Sequence, residues 1–294
     1  MDATDPPGDR IVCGVMPHPA ILPDHVAVIT GGASGIGLAV ARHLAAADMS
    51  ILLADIDEDA LAEAKRALRD EGRRVETIRV DVGDPSQIAR MKIAAEDLGR
   101  VSILMNNAAR EGGGGILAGA NIWERTIATN MMGAVYGVQH FLPAMLAADW
   151  PCAIVNTGSK QGITLPPGDT AYNVSKAGLK AFTESLAHDL LATDGRVSAH
   201  LLIPGFTYTG FTKRRGITER PAGAWSADQV ADYLLSGMAR GDFYILCPDN
   251  DVSRAMDERR IAWAAGDIID NRPALSRWHP DHQDAFARHM EDKA

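Results

Sequence analysis

The sequence predicts an α/β fold: a Rossmann-type doubly wound parallel sheet in three layers (α/β/α), with a C-terminal extension. Three observations lead there. Short apolar runs, VAVIT, SILLAD, ETIRVD, SILMNN, CAIVN and SAHLLIP, recur from His25 onward with helix-like segments between them. Such runs, often β-branched, suit strands buried on both faces, and their alternation with amphipathic helices suits parallel βαβ units. A glycine-rich turn follows the first run, and a chain of 294 residues with 46% hydrophobic content can bury one substantial core.

Taken in order, residues 1–23 are acidic and proline-rich, without the basic start and sustained apolar stretch of a secretory leader, and predict an irregular arm. Residues 24–250 form the predicted Rossmann-type domain. After the first two strands, DEDALAEAKRALRDEG has an acidic first turn, Ala and Leu on a recurring face and a glycine just beyond its end, which is helix logic. The apolar stretch MMGAVYGVQHFLPAML predicts a buried or intersubunit helix in which Met131 and Met132 pack. Residues 205–225 are glycine-punctuated and threonine-rich, and predict a loop with a short helix, a candidate lid over substrate. Its basic run, Lys213, Arg214 and Arg215, reads as a solvated face, with attraction of an acidic substrate as the alternative. SADQVADYLLSGMARG opens on a serine cap and predicts a helix, and FYIL a last strand. Residues 251–294 form a tail expected to pack on the domain or on a neighbouring subunit, with Trp225, Trp263 and Trp278 read as its anchors and an apolar pocket lining as the alternative.

Composition narrows the function. With 29 basic against 38 acidic residues the net charge is -9, which disfavours binding to nucleic acid or an anionic membrane and favours a small-molecule substrate. No apolar run approaches the roughly 18 to 20 residues of a membrane span, so a soluble, cytoplasmic protein is expected. The three cysteines, Cys13, Cys152 and Cys247, are far apart and the histidines scattered, so no disulfide framework and no metal site is expected, in a reducing compartment.

In VAVITGGASGIGLAVARHL, Gly31, Gly35 and Gly37 lie between the first strand and a helix. Glycines there permit a tight turn and close approach of the backbone to a pyrophosphate resting at the helix N-terminus. Asp55 ends the second strand 18 positions beyond Gly37, near the spacing of a carboxylate that accepts from the adenosine ribose hydroxyls. That favours NAD. The 2′-phosphate of NADP would meet Asp55 as like charge, and Ser34 stands where a basic residue would welcome it.

With these motifs the chain, from about His25 to Thr209, resembles the classical short-chain dehydrogenase/reductase family. TGGASGIG, with Thr30, Gly31, Ser34, Gly35, Ile36 and Gly37, is similar to the family's cofactor turn. VDV, with Asp81 and Val82, is similar to its adenine-contacting segment. NNAA, with Asn107 and Ala108, is similar to N-N-A-G, alanine replacing the last glycine. IPGFTYT, with Pro204, Gly205, Thr207 and Thr209, is similar to the segment that meets the nicotinamide carboxamide, Thr207 replacing a branched apolar residue. Asn130 in WERTIATNMMG, Ser159 thirteen positions before Tyr172, and YNVSK with Tyr172 and Lys176 are similar to the catalytic set.

The resemblance implies interconversion of a secondary alcohol and a ketone. Tyr172 would exchange the proton, Ser159 bind the substrate oxygen, Lys176 bind the nicotinamide ribose and Asn130 hold a relay water. A tyrosine with pKa of about 10 must be lowered to act as base near neutrality, and a shift of about three units takes about 4 kcal/mol. Lys176, one helical turn from Tyr172, and the positive nicotinamide are expected to share it. The alternatives are an NADP-dependent ketone reductase of the same family and a non-catalytic NAD-binding sensor. A homodimer or homotetramer is expected, although the family's frequent V-D-G-G ending is absent.

Overall fold

The structure, a computed structural model, describes residues 16–210, 216 and 218–291. Seven parallel strands make the central sheet in the order β3-β2-β1-β4-β5-β6-β9: β1 (Val26–Thr30), β2 (Ser50–Asp55), β3 (Val75–Arg79), β4 (Val101–Asn106), β5 (Cys152–Thr157), β6 (Val197–Ile203) and β9 (Tyr244–Leu246). Each apolar run of the sequence became one of these strands. Because side chains alternate across a strand, Val28, Leu52, Leu104 and Ile154 pack into one helical layer and Ile29, Leu53, Met105 and Val155 into the other. The sheet therefore needs apolar residues at consecutive positions, which is why the runs are continuous.

The helices that follow are α1 (Gly35–Ala46), α2 (Glu58–Asp70), α3 (Pro85–Leu98), α4 (Ala120–Ile127), α5 (Gly133–Ala147), α6 (Gln161–Thr164), α7 (Thr170–Asp189), α8 (Ala227–Arg240), α9 (Arg254–Ile269) and α10 (Gln283–Glu291). Local chemistry sets several ends. Asp57 caps α2 by accepting from the Ala60 amide at 3.0 Å, and Ser226 and Gln229 form a reciprocal capping box on α8. None of the described helices is long and apolar enough to cross a membrane.

Between α4 and α5 the chain does not simply continue as one α-helix. Residues Ala128–Met132 form a π-helical turn carrying Asn130, and Met131 packs its sulfur against Gly178 of α7. The predicted arm is irregular where described, yet its end is docked: Ala20 is buried and its carbonyl accepts from the Ser102 hydroxyl at 2.8 Å. The base of the 205–225 loop is stitched by a two-residue pairing that the sequence did not reveal, β7 (Thr207–Tyr208) with β8 (Trp225–Ser226). Two residues are too few for alternation to register. Lys213, Arg214 and Arg215, like Cys13, lie outside the described residues.

The tail is α9, two short 3₁₀ turns and α10. Trp263 of α9 holds it together: buried, it donates its indole N–H to the Ser276 hydroxyl at 2.8 Å, sits under the Arg272 guanidinium at 4.1 Å and meets Phe286 of α10 edge-on at 5.4 Å.

Candidate active site

The strand order reverses between β1 and β4, and a crevice opens there at the carboxyl ends of the strands. One cleft of about 1050 Å³ runs across it. Its floor begins at Gly31, whose φ of +61° is the left-handed region, and a Cβ there would lie 2.8 Å from Ala108 Cα. A Cβ on Gly37 would lie 2.4 Å from the Gly31 carbonyl oxygen and 2.7 Å from the Asn107 amide nitrogen. Backbone thus packs on backbone, and only glycine fits.

Asn107 ties the turn to the sheet. Its amide donates to the Thr30 and Gly31 carbonyls, both at 3.2 Å, and its oxygen accepts from the Thr157 hydroxyl at 3.2 Å. Thr30 in turn accepts from the Asn107 and Ala108 amides at 3.0 and 3.1 Å. Asn107 therefore spends its side chain on the shape of the cradle. Helix α1 starts at Ser34, which makes no side-chain cap, so the first amides of α1 turn toward the cleft as a donor set for an anion. Thr209 lies against Gly35 from the opposite wall.

At the far end Asp55 accepts from the Ala33 amide through one oxygen and from the Asp57 amide through the other, both at 3.2 Å. Its carboxylate is held on the cleft wall with further lone pairs to offer. Asp81 accepts from the Gly83 amide at 2.9 Å, and Val82 is buried beside it. A cradle closed to any Cβ, the first-turn amides of α1 and a fixed carboxylate suit a dinucleotide with its pyrophosphate at α1 and a ribose at Asp55.

The other end carries the reactive groups. The Asp169 side chain accepts from the Tyr172 amide at 3.2 Å and so caps α7 with the tyrosine in its first turn. Ser159, half-buried at the end of the β5 loop, accepts from the Gln161 amide at 3.1 Å and hydrogen-bonds the Tyr172 phenol. Lys176, 2% exposed, donates from Nζ to the Thr157 carbonyl at 2.7 Å, and Nζ stands 5.7 Å from the centre of the Tyr172 ring.

The electrostatics run opposite to the expected depression of the phenol. Burial pushes the Tyr172 phenol up to about 12, with the Ser159 hydrogen bond only partly offsetting it. Burial likewise pulls the Lys176 ammonium down to about 7. Desolvation penalises both charged forms at once, so the protein alone keeps the phenol protonated.

Asn130 sits behind the cleft rather than on it. Both amide hydrogens are taken, by the Arg110 carbonyl at 2.8 Å and the Ser175 hydroxyl at 3.0 Å, and its oxygen accepts from the Arg110 amide at 2.7 Å. Gly37 is likewise a packing residue of the cradle. Ser34, Ile36, Ala108, Pro204, Gly205, Thr207 and the other predicted positions line the cleft directly. It is also lined by groups that the motifs did not single out, among them Arg110, Arg125, Lys160 and Phe206. Each lies in or beside a quoted motif, Arg110 after NNAA, Arg125 in WERTIATNMMG, Lys160 after Ser159 and Phe206 in IPGFTYT, and that adjacency was the signal available.

Comparison with known proteins decides the family. A family model for short chain dehydrogenase matches residues 25–220. The chain belongs to the short-chain dehydrogenase/reductase family. Among sequence relatives of this short-chain dehydrogenase/reductase is a 1-deoxy-11-beta-hydroxypentalenate dehydrogenase of Streptomyces exfoliatus, 30% identical over 274 residues that cover 87% of this chain and 95% of the relative. Among solved members, one from Burkholderia phymatum in complex with NAD superimposes with a TM-score of 0.78 at 33% identity, over 85% of this chain and 96% of that one. A variant of the actinorhodin polyketide ketoreductase with NADPH reaches a TM-score of 0.68 at 26% identity, over 75% and 94% of the two chains.

Proposed function

We propose that this short-chain dehydrogenase/reductase is an NAD-dependent enzyme that interconverts a secondary alcohol and a ketone. The observation that carries the reading is one continuous cleft with the Asp55 carboxylate at one end and the Ser159, Tyr172 and Lys176 side chains at the other. Asp55 would hold the adenosine ribose, the amides of α1 the pyrophosphate and Lys176 the nicotinamide ribose. Bound there, the dinucleotide supplies hydride transfer, with a positive ring in its oxidised form.

The chain's own residues manage the oxygen and its proton. Ser159 donates to the substrate oxygen, and Tyr172 exchanges the proton with it. In ketone reduction Tyr172 acts as acid, and burial already keeps its phenol protonated. In alcohol oxidation it acts as base, and the added positive charge must overcome the desolvation that holds the phenol near 12. The Asn130 amide, engaged with Arg110 and Ser175, fixes the loop after β4 against α7, a positioning role.

The NADPH in the actinorhodin neighbour supports a second reading, an NADP-dependent ketone reductase. Asp55 weighs against it by like-charge repulsion with a 2′-phosphate. We further propose a homodimer or homotetramer as the working unit, which light scattering tests through its mass.

The reduced-nicotinamide absorbance, followed with NAD and NADP offered separately across secondary alcohols and ketones, tests the function. Turnover with NAD that falls by about 10²- to 10⁴-fold in Tyr172→Phe, with dinucleotide affinity retained, is the expected result. Dinucleotide binding without turnover on any member of the panel would overturn the catalytic reading.

A further inference from the structure

The residue after Ser159 is unusually committed. Lys160 Nζ forms ion pairs with Asp249 at 3.2 Å and Asp257 at 2.6 Å, and the side chains of these carboxylates are 5% and 6% exposed. Arg260 stands 3.8 Å from the second oxygen of Asp257. Asp257 belongs to α9, which packs against α6, and Asp249 lies just past β9. Both partners therefore come from chain beyond residue 220, where the family match ends.

The cluster touches both walls of the reactive end. On the Ser159 side, the Lys160 carbonyl accepts from the Ile163 and Thr164 amides at 3.1 and 3.0 Å, closing α6. The same turn presents the Gln161 amide that holds the Ser159 hydroxyl. A Cβ on Gly162 would lie 2.6 Å from the Lys176 carbonyl carbon, so α6 is wedged between α7 and the ion cluster. On the opposite wall, Asp249 accepts from the Phe206 amide at 3.2 Å, and a Cβ on Gly205 would lie 2.6 Å from its Oδ2 and 2.9 Å from Lys160 Nζ.

Stability alone does not account for such a cluster. Buried ion pairs cost desolvation that often cancels their attraction, and well-packed apolar groups can replace them without loss, whereas their directional contacts can fix one arrangement. Fixing one arrangement is what a hydroxyl that must meet the substrate oxygen requires, since a displacement of about 1 Å can cost about 10²-fold in rate.

We propose that Lys160 is a positioning residue, which, clamped by Asp249 and Asp257, locks the Ser159 turn and the Gly205–Phe206 wall in register and makes the C-terminal helix α9 a working part of the active site. The catalytic consequence rests on the alcohol–ketone reading; the structural coupling does not.

The test compares the full-length parent with Lys160→Met and with Lys160→Met/Asp257→Asn, the second of which removes an uncompensated buried charge and keeps the fold testable. Thermal melting, dinucleotide affinity by fluorescence quenching, steady-state kinetics and amide hydrogen exchange are read together. In a double variant that melts like the parent, exchange should rise about tenfold in peptides covering 158–164 and 205–209 and stay unchanged in 31–37. Its kcat should fall about 10- to 100-fold with dinucleotide affinity unchanged. Parental exchange at both segments in a double variant that melts like the parent would overturn the proposal, as would parental kcat in that variant. A parent that turns over no member of the panel overturns the catalytic reading instead, and the exchange comparison still decides the coupling.

Discussion

Tyr172 and Lys176 show how burial and charge compete at single residues. The phenol is held near 12 by desolvation, and its hydrogen bond to Ser159 is the one contact that lowers it. Ser159→Ala therefore raises the phenol further, and the pH profile of kcat/KM for alcohol oxidation moves to higher pH, because oxidation needs the phenolate. A profile left in place in that variant would show that another group sets the limb. Lys176 carries the opposite linkage. Its folded pKa of about 7 lies below the unfolded value of 10.5, so between these values the unfolded chain binds the extra proton. Stability from this residue is present above 10.5 and lost as pH falls through about 7, so the parent gains stability from about pH 7 to about pH 9. Urea midpoints at the two pH values measure that gain, which shrinks in Lys176→Met.

Turns and segments act through close approach and docking. Gly37→Ala would drive a methyl into the Gly31 carbonyl and the Asn107 amide. We expect a loss of about 1–3 kcal/mol in stability and weaker dinucleotide binding, read by melting and fluorescence titration. The end of the N-terminal arm is held by histidine. His18 accepts from the Ala20 amide at 3.1 Å and pairs through its other nitrogen with the Ser198 hydroxyl at 3.2 Å, which also meets His200 at 3.0 Å. Burial, followed by the His200 charge, pulls His18 down to about 4, while burial also lowers His200 against the Asp242 carbonyl. The neutral ring stabilises the docked arm above the unfolded value of 6.5, and this contribution is lost as pH falls through about 4. Protection from hydrogen exchange around residues 16–23, relative to the intrinsic rate at each pH, should therefore fall between about pH 6.5 and about pH 4, and lose much of that dependence in His18→Gln.

For the whole molecule, the dinucleotide is a stabilising ligand. A cofactor that binds only the folded chain adds about 2.7 kcal/mol at a hundredfold excess over its Kd. NAD should raise the melting temperature more than NADP at equal concentration, and Asp55→Asn should narrow the gap. An equal shift from both in the parent would remove Asp55 as the selector.

The sequence by itself determined the sheet, the glycine cradle and the positions of Ser159, Tyr172 and Lys176, because each depends on local spacing: a run of apolar residues buried on two faces, a backbone approach that excludes Cβ, and side chains one turn apart on α7. Only the tertiary structure decided what burial does to those groups. It raised the phenol that proximity to lysine alone would lower, spent the Asn130 amide on Ser175 of α7 and the loop after β4, and joined Lys160 to Asp249 and Asp257, far along the chain. Desolvation and long-range ion pairing depend on which distant segments share a volume, and no local pattern along the chain encodes that.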